Sequence, residues 1–152
     1  MKKVLGIVSI CIICLLLTGC KSDFKSVMNR YDLNVNDYKI ENKKANGVIE
    51  AYEAKGSDKN ITVRYLVTKN ENYAKPFHAS IGIEFTAIMA KHSINGKKCE
   101  SLVNERSSYH SVECGDEYYV SSYFENTYIF IYGNGKEEKE VIDNVLKKLN
   151  FE

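Results

Sequence analysis

The sequence predicts an α+β domain: an antiparallel sheet of about five strands with helices packed on it, in the order α-β-β-α-β-β-β-α after an N-terminal signal helix. Three observations carry that expectation. Residues 47–69 hold two strand-like runs either side of Gly56-Ser57-Asp58, a turn signal. Residues 107–135 hold three more, separated by Gly115-Asp116 and Glu125-Asn126. Apolar residues at helical spacing flank these blocks, at Phe24, Val27, Met28 and Tyr31 and again at Val141, Ile142, Val145 and Leu149.

In chain order, Met1, Lys2 and Lys3 start the chain with positive charge, and Val4 to Leu17 form an uncharged apolar run that ends in the small residues Thr18 and Gly19. This is the layout of a secretory signal. A membrane-spanning helix needs roughly 17–25 apolar residues, so the run favours cleavage over a permanent span. Residues 23–31 then read as a short amphipathic helix capped by Ser22 or Asp23. Residues 32–47 are rich in Asn and Lys and weakly patterned, and read as a loop with room for a short strand around Tyr38. In the second strand of the first hairpin, Ile61, Val63, Tyr65 and Val67 share one face while Thr62 and Arg64 point the other way, the pattern of a half-buried hairpin.

Residues 73–90 fit both periods, and length favours a helix with Pro76 in or near its first turn or bending it. Ala79, Gly82, Ala87 and Ala90 would let that helix pack closely on a sheet. His92 to Arg106 reads as a polar loop, and the following three strands as an antiparallel meander. The last helix carries Glu137, Glu138 and Glu140 at its start and Lys147 and Lys148 near its end, as the helix dipole favours.

Leu17-Thr18-Gly19-Cys20 resembles a bacterial lipobox, the motif read by lipoprotein-processing machinery. The resemblance implies a diacylglycerol on the Cys20 sulfur, cleavage after Gly19, and a protein anchored to the cell membrane or outer envelope, facing outside the cytoplasm. The alternative is a secreted chain whose Cys20 merely lies near the cleavage point. Further along, Asn126-Thr127-Tyr128-Ile129 and Leu146-Lys147-Lys148-Leu149-Asn150-Phe151 are similar to segments of small surface lipoproteins of bacteria, a group with no chemistry to assign to particular residues. The expected organisation is a signal peptide at 1–19, a lipidated tether at 20–22 and one extracytoplasmic α+β domain at 23–152. Two acyl chains hold such an end stably where one would not.

With Cys20 assigned to lipid by that resemblance, and Cys11 and Cys14 within the leader, Cys99 and Cys114 are left in a compartment where disulfides persist. They are expected to pair; the alternative is two reduced thiols. Removing Lys2 and Lys3 from the 21 basic residues leaves 19 against 20 acidic ones, interspersed, which argues against a nucleic-acid partner.

No catalytic residues, metal ligands or cofactor are expected. His78, His92 and His110 have no H-E-x-x-H context and read as scattered surface or loop residues. His110 and Cys114 would share a strand face as a base and a nucleophile, but the expected disulfide disables the thiol. Gly133-Asn134-Gly135-Lys136 sits where a phosphate-binding turn would, yet Glu137 and Glu138 would repel a phosphate, and the glycines read as a tight connection. Six tyrosines, Tyr109, Tyr118, Tyr119, Tyr123, Tyr128 and Tyr132, crowd residues 109–132. They suit strands packed under helices, or alternatively a binding surface for an envelope protein or glycan. The expected function is a non-enzymatic binding module at the membrane surface. The alternatives are an immunity-type lipoprotein that blocks a toxin or phage component and, more weakly, a small envelope enzyme.

Overall fold

The computed structural model describes residues 23–104 and 108–151 of the 152-residue chain. Cys11, Cys14, Cys20 and the expected signal peptide lie outside the described residues. The elements are α1 (Phe24–Arg30), β1 (Leu33–Asp37), β2 (Val48–Gly56), β3 (Ile61–Thr68), α2 (Glu71–Ile94), β4 (Cys99–Val103), β5 (Tyr109–Cys114), β6 (Glu117–Phe124), β7 (Thr127–Asn134) and α3 (Lys136–Lys148). The α+β class holds, but the sheet has seven antiparallel strands, in the order β1-β2-β3-β7-β6-β5-β4. Two meanders, β1 to β3 and β4 to β7, are joined where β3 pairs with β7, Val63 opposite Ile131.

The two strands beyond expectation are the edges. β1 occupies the start of the segment read as a loop and ends just before Tyr38, while β4 lies inside the expected His92–Arg106 loop. An edge strand pairs on one side only, and β4 leaves Glu100 to Val103 exposed, so no inward and outward alternation marks it. Helix α2 also runs longer than its apolar pattern, from Asn70, whose side chain caps the Asn72 amide, to Ile94. Pro76 stands in its second turn, past the positions where a missing N–H is harmless.

Both faces of the sheet are covered, which corrects the half-buried reading. On one face α1 and α3 pack Phe24, Val27, Met28, Ile142, Val145 and Leu146 onto Val63, Val120, Ile129 and Ile131. On the other, α2 lays Ala74, Ile81 and Phe85 over Leu66, Val112 and Tyr128. The expected small-residue stripe is not the contact, since Ala79, Ala87 and Ala90 are exposed. Asp23 caps α1, as expected, by accepting from the Ser26 amide at 3.3 Å.

The β7–α3 connection is as tight as its glycines suggest. A Cβ on Gly133 would meet Ile142 Cδ1 at 2.6 Å, and one on Gly135, at φ +131, would strike the Glu138 carboxylate. That carboxylate fills the space at the helix start where a phosphate would sit. Cys99 and Cys114 face each other across β4 and β5, Cα atoms 4.2 Å apart, and form the expected disulfide. Among the described residues no helix is long and apolar enough to cross a membrane.

Candidate functional site

Three elements converge beside the middle of α2 to leave an open cleft of about 430 Å³. Its floor is the sheet: Arg64 and Leu66 from β3 and Tyr128 and Phe130 from β7 share the α2 face because their register alternates with the inward Val63 and Ile129. One wall is α2, where Phe77, Ile81 and Glu84 recur at helical spacing. The other wall is the β1–β2 connection, with Tyr38, Ile40, Lys39 and Glu41. This connection is held in place. The Tyr38 amide donates to Ala51 at 2.9 Å, the Lys69 amide donates to the Gly47 carbonyl at 2.9 Å, and the Tyr73 ring at the start of α2 packs against Gly47. A smaller hollow of about 340 Å³ shares Phe77 and Ser80 with the cleft and extends it toward Tyr73 and Asn46.

The charges in the cleft are arranged unevenly. Arg64 Nε donates to Glu53 Oε2 at 3.0 Å, and its guanidinium lies 5.0 Å from the Tyr38 ring centroid. Burial raises the Glu53 carboxyl, but hydrogen bonds from Lys55 and Arg64 outweigh it and hold the group below its usual range. The guanidinium is thus fixed through Nε, and its two Nη groups have no hydrogen-bond partner among the described residues. The side chains of Lys39, Glu41 and Glu84 likewise have neither ion pair nor hydrogen bond among the described residues. Burial lifts the Tyr128 hydroxyl well above the ordinary phenol range, with Glu84 adding to the shift and Ser121 and Arg64 opposing it. The hydroxyl stays protonated and accepts from Ser121 Oγ at 3.5 Å.

The six tyrosines do not form one surface. Tyr109 and Tyr118 lie on the α1/α3 face with their hydroxyls 3.2 Å apart, whereas Tyr119, Tyr123, Tyr128 and Tyr132 lie on the α2 face. Tyr118 and Tyr128 are buried and the other four partly so. Only Tyr128 lines the cleft.

The histidines are also not scattered surface residues: all three sit between α2 and the sheet. His78 Nδ1 is 2.9 Å from Ser121 Oγ. His110 Nε2 is 2.9 Å from Ser101 Oγ, its ring edge-on to Phe85, and burial lowers its affinity for a proton. Buried His92 Nε2 lies 3.4 Å from Glu117 Oε2, which also accepts from the Tyr119 hydroxyl at 2.5 Å. That hydrogen bond, against opposing burial, and then the charges of His92 and Lys97, hold Glu117 below the usual carboxylate range. His92 and His78 face the sheet because they follow the same helical stripe as Ile81 and Phe85. The Cys114 sulfur is bonded to Cys99, so the His110–Cys114 pair has no free thiol in the oxidised protein. Among the described residues no group of three or more His, Cys, Asp or Glu is placed to hold a metal ion.

Arg64 is the cleft residue that sequence reasoning passed over, taken there as outward-facing. Its signal was a guanidinium in the middle of an otherwise apolar strand. No protein-family model, curated protein or solved structure matches this chain, so a functional reading rests on its own residues.

Proposed function

We propose that the protein is a lipid-anchored binding module outside the cytoplasm, non-enzymatic, which takes its ligand in the cleft between α2 and the β1–β2 connection. The observation that carries this reading is a preformed, aromatic-floored cleft lined by charges of both signs, of which only Arg64 is paired within the protein. Arg64 is paired through Nε with Glu53, whereas Lys39, Glu41 and Glu84 stand exposed at the cleft mouth, without a protein partner among the described residues and open to a ligand of either charge.

The anchor and the cleft fit together in space. With lipid on Cys20, three residues separate it from Phe24, a reach of about 10 Å when extended. Helix α1 would then lie at the headgroups. Because α1 and α2 cover opposite faces of the sheet, a domain resting on α1 would hold the cleft on the side away from the bilayer. The ligand therefore comes from the aqueous side.

Two experiments test this. Labelling cells with radioactive palmitate should mark the wild type and leave Cys20→Ser unmarked and released from membranes; equal labelling of the two would overturn the anchor. A thermal-shift screen of the full chain in detergent against small metabolites, peptides and saccharides should give stabilising ligands that the rim substitution Ser80→Trp abolishes. Ligands that stabilise the Ser80→Trp protein equally would place binding elsewhere.

A further inference from the structure

Resting on that reading of the cleft, we infer that its ligand is a zwitterion of amino-acid or short-peptide type, carrying a free ammonium, a free carboxylate and an apolar side chain. The cleft holds opposite charges that do not close on each other. Arg64 rises from the floor and Glu84 descends from α2, yet no ion pair within 4.0 Å joins them. Lys39 and Glu41 repeat the combination on the facing wall. A ligand with one charge of each sign would satisfy both sides at once.

The guanidinium is prepared for a carboxylate. Glu53 and the Tyr38 ring fix its plane through Nε and one face, leaving the paired Nη groups for a two-point contact that planar carboxylates match. Glu84 offers acceptors to an ammonium, and the Tyr128 ring lines the same cleft. Leu66, Phe77 and Phe130 supply the apolar bed for a side chain. A phosphate or polyanion meets Glu41 and Glu84 as repulsion, and a purely apolar ligand would strip water from four charges without replacing it. Volume favours more than one residue: about 430 Å³ lies within the range for ligands of drug size, which a dipeptide approaches more closely than a single amino acid.

The test uses the full chain in detergent, titrated calorimetrically with phenylalanine, Leu-Phe, N-acetyl-Leu-Phe, Leu-Phe amide and the doubly blocked peptide. Leu-Phe should bind, and blocking either end should weaken it about tenfold or more, the scale of a lost charge-assisted hydrogen bond. In Arg64→Gln the amide and the free acid should become equivalent, and in Glu84→Gln the acetylated and free amines should; both substitutions are at exposed or half-exposed positions, and circular dichroism checks their folding. Phenylalanine binding as tightly as Leu-Phe supports the class with a free amino acid as the source, whereas weaker binding supports a peptide. If the doubly blocked peptide binds as tightly as Leu-Phe and Ser80→Trp abolishes both, the ligand class is overturned while the cleft survives as a site. If no probe binds the wild type, the class is overturned as well, and the cleft is then judged separately by the screen against Ser80→Trp.

Discussion

Replacing Phe85 with alanine is the sharpest test of whether α2 is seated on the sheet. Phe85 is fully buried, its ring 4.7 Å from His110, 6.2 Å from Tyr119 and 6.4 Å from Phe130 between centroids. A phenylalanine buries about 150–250 Å², which at about 25 cal/mol/Å² bounds the transfer loss at about 4–6 kcal/mol, and measured Phe→Ala changes in cores cluster at about 3–5 kcal/mol. We expect about 4 kcal/mol from urea unfolding followed by circular dichroism, with an unchanged slope, and a melting temperature about 10–20 °C lower. Ile83→Ala, on the same helix but 79% exposed, should stay within about 0.5 kcal/mol. A Phe85→Ala loss below about 1 kcal/mol, or one equal to that of Ile83→Ala, would mean that α2 does not cover this face, and the cleft would lose its wall.

Replacing both Cys99 and Cys114 with alanine should lower stability by about 3 kcal/mol, the chain-entropy value for a loop of 15 residues, and the wild type should resist alkylation until reduced. Glu117→Gln should cost about 1 kcal/mol near pH 7 through the weakened Tyr119 hydrogen bond. Because the folded carboxyl lies below its unfolded value of 4.5, its contribution is present above that value and lost as pH falls through the folded one. The difference between Glu117→Gln and wild type in an acid-unfolding series should therefore shrink as pH falls below 4.5, and a constant gap would refute the assignment. Gly133→Ala forces a methyl into Ile142 Cδ1 and should destabilise by about 1–3 kcal/mol by denaturant melts, with no change expected in the cleft.

The legible parts of this fold are those whose burial repeats along the chain. The stretch from Tyr109 to Asn134 and the helix from Lys136 read correctly because turns at Gly115 and Glu125, both at positive φ, and the alternation of Ile129 and Ile131 leave few alternatives. The edges were illegible for the converse reason: Leu102 and Val103 are exposed, so β4 has no face to declare. Tyr128 and Phe130 opposite Ile129 and Ile131 hinted at a sheet covered on both sides, a strand apolar on each face, but which helix covers which face depends on tertiary packing. The cleft is harder still. Tyr38, Arg64, Glu84 and Tyr128 come from four separate elements, and no spacing along the chain places a side chain of β3 under one of α2. What the sequence did offer was a charge in the wrong place, Arg64 inside a central strand, and such misfits repay more scrutiny than the abundance of tyrosine that drew notice first.

The position of β7 has a consequence for how the molecule is made. It is the last of the seven described strands in chain order, yet it sits fourth in the sheet, between β3 and β6, and Phe151 behind it closes the α1/α3 core, its carbonyl accepting from Ser122. Until Asn134 has been synthesised, the two meanders are separate sheets with open edges on facing sides, each short of its neighbour by one strand. Assembly is thus held back by topology until β7 is present, and the contacts that finish it are long-range, as between Val63 and Ile131, the kind that form slowly. No stretch of the chain that stops short of β7 is a complete sheet.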